Sequence, residues 1–369
     1  MVSTKGALFS KSNLLNNERK RKRECATINA FWPHINSAEL DSIEDYAAWF
    51  KFLGKALQSL HPHASKFATQ EWEGLFSTVA SLRANRTMAR KQLTQVVKKG
   101  YLNTTDAAIG RTIELSARLW LGINIRSNGL SVGPRNPRDS LVDWNDDQLL
   151  EDMIAKQFPR DKIVSAAPEI SFDESFTAAN LKTICRLHIR WTDNLRDHLK
   201  LEGPRGERCL SIYRHKICLI NHRRGPQPTI IPTEILDEAI RTLDLLFPFG
   251  DPKTEAFLEE EKVQLWTESS YELHRATELD DFKYWRSNLA HLSRIFSGPP
   301  ETVLQTLFDT RNIPQLATLW VAIFRVFFLT ILFGLLATVY SVKQYRVALE
   351  SYKLALAQAS CGFRVGRNG

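Results

Sequence analysis

A mainly α-helical body followed by one C-terminal membrane-spanning helix is what this 369-residue sequence predicts, with a small α+β element around residues 187–213. Three observations predict it. Apolar residues recur at three- and four-residue spacing through most of the chain before residue 300. Leu316–Val342 then holds 27 residues with a single charge, Arg325. Only a short stretch alternates as strands do.

Residues 1–30 read as a basic disordered tail, polar and containing the run Arg19-Lys20-Arg21-Lys22-Arg23. Such a run also suits nuclear import or contact with anionic lipid. A helical region follows over 31–125. Ile43, Tyr46, Phe50, Leu53, Leu57 and Leu60 form one apolar stripe, with Asp41 and Glu44 as a capping-box-like start and Pro62 beyond the end. Trp72, Leu75, Phe76, Val79 and Leu82 mark a second helix; Ile109, Ile113, Ala117, Trp120 and Leu121 mark a third. Between these two, Arg83, Arg86, Arg90, Lys91, Lys98 and Lys99 form a basic stretch, expected as a solvated face balanced by the acidic 251–281 region.

Residues 126–140 are rich in Gly, Pro and Asn and read as a linker and domain boundary. They include Gly129-Leu-Ser131-Val-Gly133, a formal G-x-S-x-G. A nucleophile elbow needs a helix straight after the serine, and Pro134 and Pro137 disfavour one. A central region follows over 141–310. Leu187–Trp191 reads as a short strand with Cys209–Tyr213 as its partner. Thr192 or Asp193 then caps one or two helical turns placing Leu195, His198 and Leu199 on one face. Ile217–Asn221 and Ile235–Leu246 follow as helices, the latter bounded by Pro232 and Pro248. Phe282, Trp285, Leu289, Leu292 and Phe296 make a seam expected to face the protein's own core.

As a helix, Leu316–Val342 is roughly 40 Å long, more than the ~30 Å bilayer core requires. Trp320 near one end and Tyr340 and Tyr345 near the other suit the two interfaces, and Arg325 lies close enough to an end to snorkel. Residues 343–369 are a basic tail, with Lys343, Arg346 and Lys353 next to the span. Those charges favour a cytosolic tail. The opening residues contain no apolar run of a secretory leader, which favours a cytosolic body instead. We give the second argument more weight, since translocating a body of this size needs an export signal. The expected partner is therefore the lipid bilayer, in a single pass, with the bulk of the chain in the cytosol. Thr330, Gly334 and Thr338 form a small-residue face at i, i+4, i+8 through which two copies would pair.

Composition excludes several classes. With 43% hydrophobic and 24% charged residues the chain is not wholly disordered. The net charge of +8 resides at the ends: residues 1–24 and 316–369 each carry an excess of five positive charges. The body between them is slightly acidic, so nucleic acid is not an expected partner. Cys25, Cys185, Cys209, Cys218 and Cys361 are odd in number and contain no C-x-x-C pair, which suits a reducing compartment and neither a disulfide framework nor zinc. The sequons at Asn85 and Asn103 then read as chance matches. No P-loop, dinucleotide fingerprint, zincin or kinase motif is present. No cofactor or metal is expected.

The most distinctive text is Phe176-Thr-Ala-Ala-Asn180-Leu181, then Leu187-His188-Ile-Arg-Trp191-Thr192-Asp193-Asn194-Leu195-Arg-Asp197-His198-Leu199. His188, Asp193, Asp197 and His198 are the candidate acid–base or metal cluster. Adjacent Asp197 and His198 would project from different helix faces, and capping and local hydrogen bonding are the expected roles. In this block, and in Tyr284-Trp285-Arg286, Arg311-Asn312 and Leu319-Trp320-Val321-Ala322, the chain resembles a family of uncharacterised proteins from filamentous fungi. The resemblance spans about residues 140–345 and implies the architecture without an activity. It departs at Leu307-Phe308-Asp309-Thr310-Arg311-Asn312, where members tend to carry tryptophan. The leading expectation is a membrane-anchored, non-enzymatic interaction or scaffold protein with an unknown protein partner. Alternatives are a membrane-bound hydrolase or metal enzyme using His188, Asp193, Asp197 and His198, or a nuclear factor targeted by Arg19–Arg23.

Overall fold

Helices dominate because the apolar stripes read in the sequence each find a core. The computed structural model of the protein describes residues 17–35, 43–101, 103–127, 130–131, 137–161, 170–226, 229–265, 275–298 and 313–365. Asp41, Gly129, Gly133, Pro134 and Leu307–Asn312, on which the sequence expectations also fall, lie outside the described residues. The chain divides into two compact units, residues 1–299 and 300–369.

In the first unit, α1 (Asn17–Phe31) is followed by α2 (Ala47–Leu60), α3 (Trp72–Ala84), α4 (Arg90–Lys98) and α5 (Asp106–Leu121). The disordered tail expected over residues 1–30 is thus corrected over its described part. The basic run belongs to α1, which Lys20 and Glu24 brace at i,i+4. Ile28 and Phe31 anchor the helix, both almost wholly buried, and Arg23 lies over the Trp72 ring. Phe31, Trp32, Tyr46 and Trp49 pack ring against ring, with Trp32 and Trp49 centroids 5.0 Å apart.

Thr105 caps α5, its hydroxyl accepting from the Ala108 N–H. The helix stops at Gly122, whose φ of 64° is the left-handed conformation that favours glycine. The chain then enters a small sheet of β1 (Ile125–Ser127), β2 (Leu130–Ser131) and β3 (Val142–Asp143), in the order β2-β1-β3. The expected linker over 126–140 therefore joins parts of one body instead of separating two domains.

Two short helices follow, α6 (Leu150–Ala155) and α7 (Ala178–Thr183), the latter capped by the Thr177 hydroxyl on the Asn180 N–H. The α+β element comes next: β4 (His188–Thr192), a single tight turn at Leu195–Asp197, β5 (Leu201–Glu202) and β6 (Cys209–Tyr213). The strands lie in the order β4-β6-β5, with β4 parallel to β6 in the register His188 to Cys209. Helices α8 (Lys216–Arg224), α9 (Thr233–Leu246), α10 (Pro252–Glu261) and α11 (Arg286–Ser297) complete the unit. The α8–α9 pair is tied by Lys216–Asp244 at 2.5 Å and Arg223–Asp237 at 2.7 Å. Leu289, Leu292 and Phe296 of α11 are buried, so the expected seam does face the protein's own core.

The second unit is described by one helix, α12 (Ile313–Val365). Its Ala317–Gln358 portion is 42 residues with a mean hydropathy of 2.4 at its most apolar, and none of that stretch is buried. At about 1.5 Å per residue it measures roughly 60 Å, long and apolar enough to cross a membrane. Trp320, Arg325, Gly334 and Val342 all lie on it exposed; Leu316 belongs to the same helix. The helix continues without a break to Val365, so most of the expected 343–369 tail is helical.

Candidate functional site

The turn after β4 gathers the Trp191–Leu199 motif into a set of buried hydrogen bonds. Asn194 is 1% exposed and its side chain does three things. Its Oδ1 accepts from the Asn124 N–H, and its Nδ2 donates to the Ser140 carbonyl and to Asp197 Oδ2 at 2.6 Å. Thr192 Oγ1 accepts from the Asn194 N–H, and the Leu195 N–H donates to the Gly122 carbonyl. The motif therefore clips the end of α5 and the 137–141 segment onto the second sheet. Trp191 stacks on Phe247 at 5.5 Å and donates to Glu261, joining β4 to α9 and α10.

Asp197 is fully buried. It accepts from Asn194 and from the Ser140 N–H, with the Lys200 ammonium 3.8 Å away. His198 is 2% exposed. The Tyr213 N–H donates to its Nδ1, which puts the proton on Nε2. From there Nε2–H donates to Thr242 Oγ1 at 2.6 Å, and that hydroxyl donates to the Ala239 carbonyl. Burial pushes the His198 pKa down to about 3, so the ring is neutral and both its nitrogens are used. Trp285 closes the site, its indole N–H donating to the His198 carbonyl.

Asp193 faces elsewhere. Its Oδ1 accepts from His215 Nε2–H at 2.7 Å and from Arg214 Nε at 2.6 Å. Burial alone would raise its pKa, but His215 and Arg214 hold the carboxyl below the ordinary range. His215 completes an aspartate–histidine pair, but its side chain is 1% exposed, so its remaining nitrogen reaches no solvent. His188, at the start of β4, is exposed. The sequence candidates His188, Asp193, Asp197 and His198 are thus placed in four environments, and no hydrogen bond or ion pair joins any two of them. Among the described residues, no group of three or more His, Cys, Asp or Glu side chains is placed to hold a metal ion.

A second polar centre is one that the sequence reading assigned to solvent. Arg90, expected on a solvated basic face, is 6% exposed and turned inward. Its guanidinium donates to Glu114 at 3.0 Å, to Ser127 Oγ at 2.8 Å and to Asp146. Ser127 also donates to Glu114. Burial outweighs the neighbouring Arg90 and lifts the Glu114 pKa to about 7. These groups border a cleft of about 410 Å³ lined also by Lys91 and Arg111. Among the described residues the cleft lining contains neither histidine nor cysteine, and the carboxylate that Ser127 bonds, Glu114, is held by Arg90. The cluster joins α4, α5 and β1. The sequence signal for it was faint: an arginine on the buried face of a short helix, four positions before Thr94.

No family model matches this chain, and no curated protein or solved structure matches it.

Proposed function

We propose that the protein is a single-pass membrane protein whose helical body lies in the cytosol and acts as a non-enzymatic interaction or scaffold module. One observation carries the reading: the helix portion Ala317–Gln358 contains a segment apolar enough to cross a membrane, and no part of it is buried. The core helix of a water-soluble protein would be covered by its own chain, whereas a bilayer covers such a surface with lipid. Thr330 and Thr338 support it further. Each hydroxyl donates to the carbonyl four residues earlier, Val326 and Gly334, so neither demands water. The interaction role rests on the motif, whose polar groups are spent on holding the body together. Membership of the filamentous-fungal family that this motif resembles is part of the proposal.

The test is a fluorescent fusion at the N-terminus, combined with protease treatment of sealed membranes. The full chain should mark membranes and lose its tag to external protease, and a chain ending at residue 312 should be diffuse. A tag protected inside the vesicles would reverse the orientation. A membrane pattern that survives removal of the helix would end the anchor.

A further inference from the structure

A cavity of about 230 Å³ opens where the end of α1, α3, α5 and the end of α8 meet, away from the motif and from the Arg90 cleft. Its walls are largely aromatic. Trp32 and Trp120 both pack on His222, each with ring centroids 5.6 Å from the imidazole, and Phe31 and Ile230 add apolar surface. His222 donates to the Trp120 carbonyl, and burial lowers its pKa to about 4, so at neutral pH it is an uncharged wall. Among the described residues the lining includes Arg83 and Arg86 and no Asp or Glu.

Arg83 is the informative residue. Its Nη1 donates to the Ala30 and Phe31 carbonyls at the end of α1. Among the described residues no carboxylate pairs with it, and its Nε and Nη2 have no protein acceptor and are not sealed from solvent. That leaves the two-donor edge that matches a carboxylate's two oxygens. Volume sets the rest of the ligand. A dry cavity of about 150 Å³ takes benzene, so this one has room for one ring and a small anionic group. We propose that the cavity binds a small aromatic carboxylate, its ring against Trp32, Trp120 and Phe31 and its carboxylate on the free edge of Arg83, with Arg86 beside it.

The test uses the full chain in detergent, with tryptophan isotope-labelled so that each indole N–H gives one resonance. Trp32→Phe and Trp120→Phe assign the two signals. Benzoate and cinnamate are the probes, and benzamide is the uncharged control. The expected result is a saturable shift of both signals with a carboxylate, and binding about tenfold weaker for benzamide. Arg83→Lys keeps a charge and a donor for the α1 carbonyls but loses the fork, and should weaken binding by about tenfold. Ile230→Trp, which fills the cavity from its apolar side, should abolish the shift, and it serves where Arg83→Lys is poorly folded. The proposal is overturned if neither carboxylate moves the two signals, if benzamide moves them equally well, or if binding survives both variants.

Discussion

A histidine enclosed in a protein interior surrenders its charge, and the molecule then carries that cost whenever the solution turns acidic. His198 and His222 have pKa values near 3 and 4 in the folded state against an ordinary value of 6.5. The unfolded chain therefore binds more protons than the folded one below about pH 6.5, and stability falls as the pH drops through that window. Each such histidine adds a slope of at most about 1.4 kcal/mol per pH unit. His198→Gln, which keeps an amide donor for Thr242, should flatten the acid limb of the stability curve relative to the unaltered chain. Urea titrations between pH 6.5 and 4 measure this, and parallel curves would contradict it. Asn194 makes a sharper case. Truncation to alanine strands the Asn124 N–H and removes one of the partners of buried Asp197. A loss of about 3 kcal/mol is expected, since unpaired buried polar groups cost more than a typical hydrogen bond contributes. A loss below half a unit of that scale, about 0.5 kcal/mol, would show that the clip is ornamental.

At the level of elements, the junctions are more vulnerable than the helices. Gly122 ends α5 at a positive φ, and a side chain there would press on the Tyr213 hydroxyl. Gly122→Ala is expected to cost about 1–3 kcal/mol, with the loss read as a lower melting temperature. Glu238 shows the same principle in α9. Its carboxylate accepts from three successive backbone N–H groups, Lys283, Tyr284 and Trp285, and so fixes the approach to α11. In α12, an added Cβ at Gly334 would meet open space, so Gly334→Leu leaves the helix itself intact. If two copies pair through the Thr330–Gly334–Thr338 face, that change should weaken self-association in a membrane two-hybrid assay; an unchanged signal would remove pairing through this face.

Elements that announce themselves do so over four turns or through strong boundaries. The stripes of α2, α3, α5, α9 and α11 were legible because each buries a continuous face. Helix α1 was not, because only its last turn enters the core and its first turns are all polar. Helix α7 spans six residues, too short for a period to show, and depends on its Thr177 cap. The motif text stood out, yet its chemistry could not be read from spacing. The partners that Asp193, Asp197 and His198 meet, His215, Ser140, Tyr213 and Thr242, lie between 15 and 57 residues away from the group they bond. Local proximity suggested a cluster; long-range pairing separates it.

At the scale of the whole molecule, the chain combines a helical body having its own core with one helix, Ala317–Gln358, long and apolar enough to cross a membrane, and the proposed consequence is attachment to a bilayer. Alkaline carbonate extraction of membranes carrying an N-terminally tagged full chain, beside a version truncated at Ile313, tests this most directly. The full chain is expected to stay with the pelleted membranes and the truncated chain to be released. Release of the full chain would contradict it, and would mean that protein and not lipid covers Ala317–Gln358.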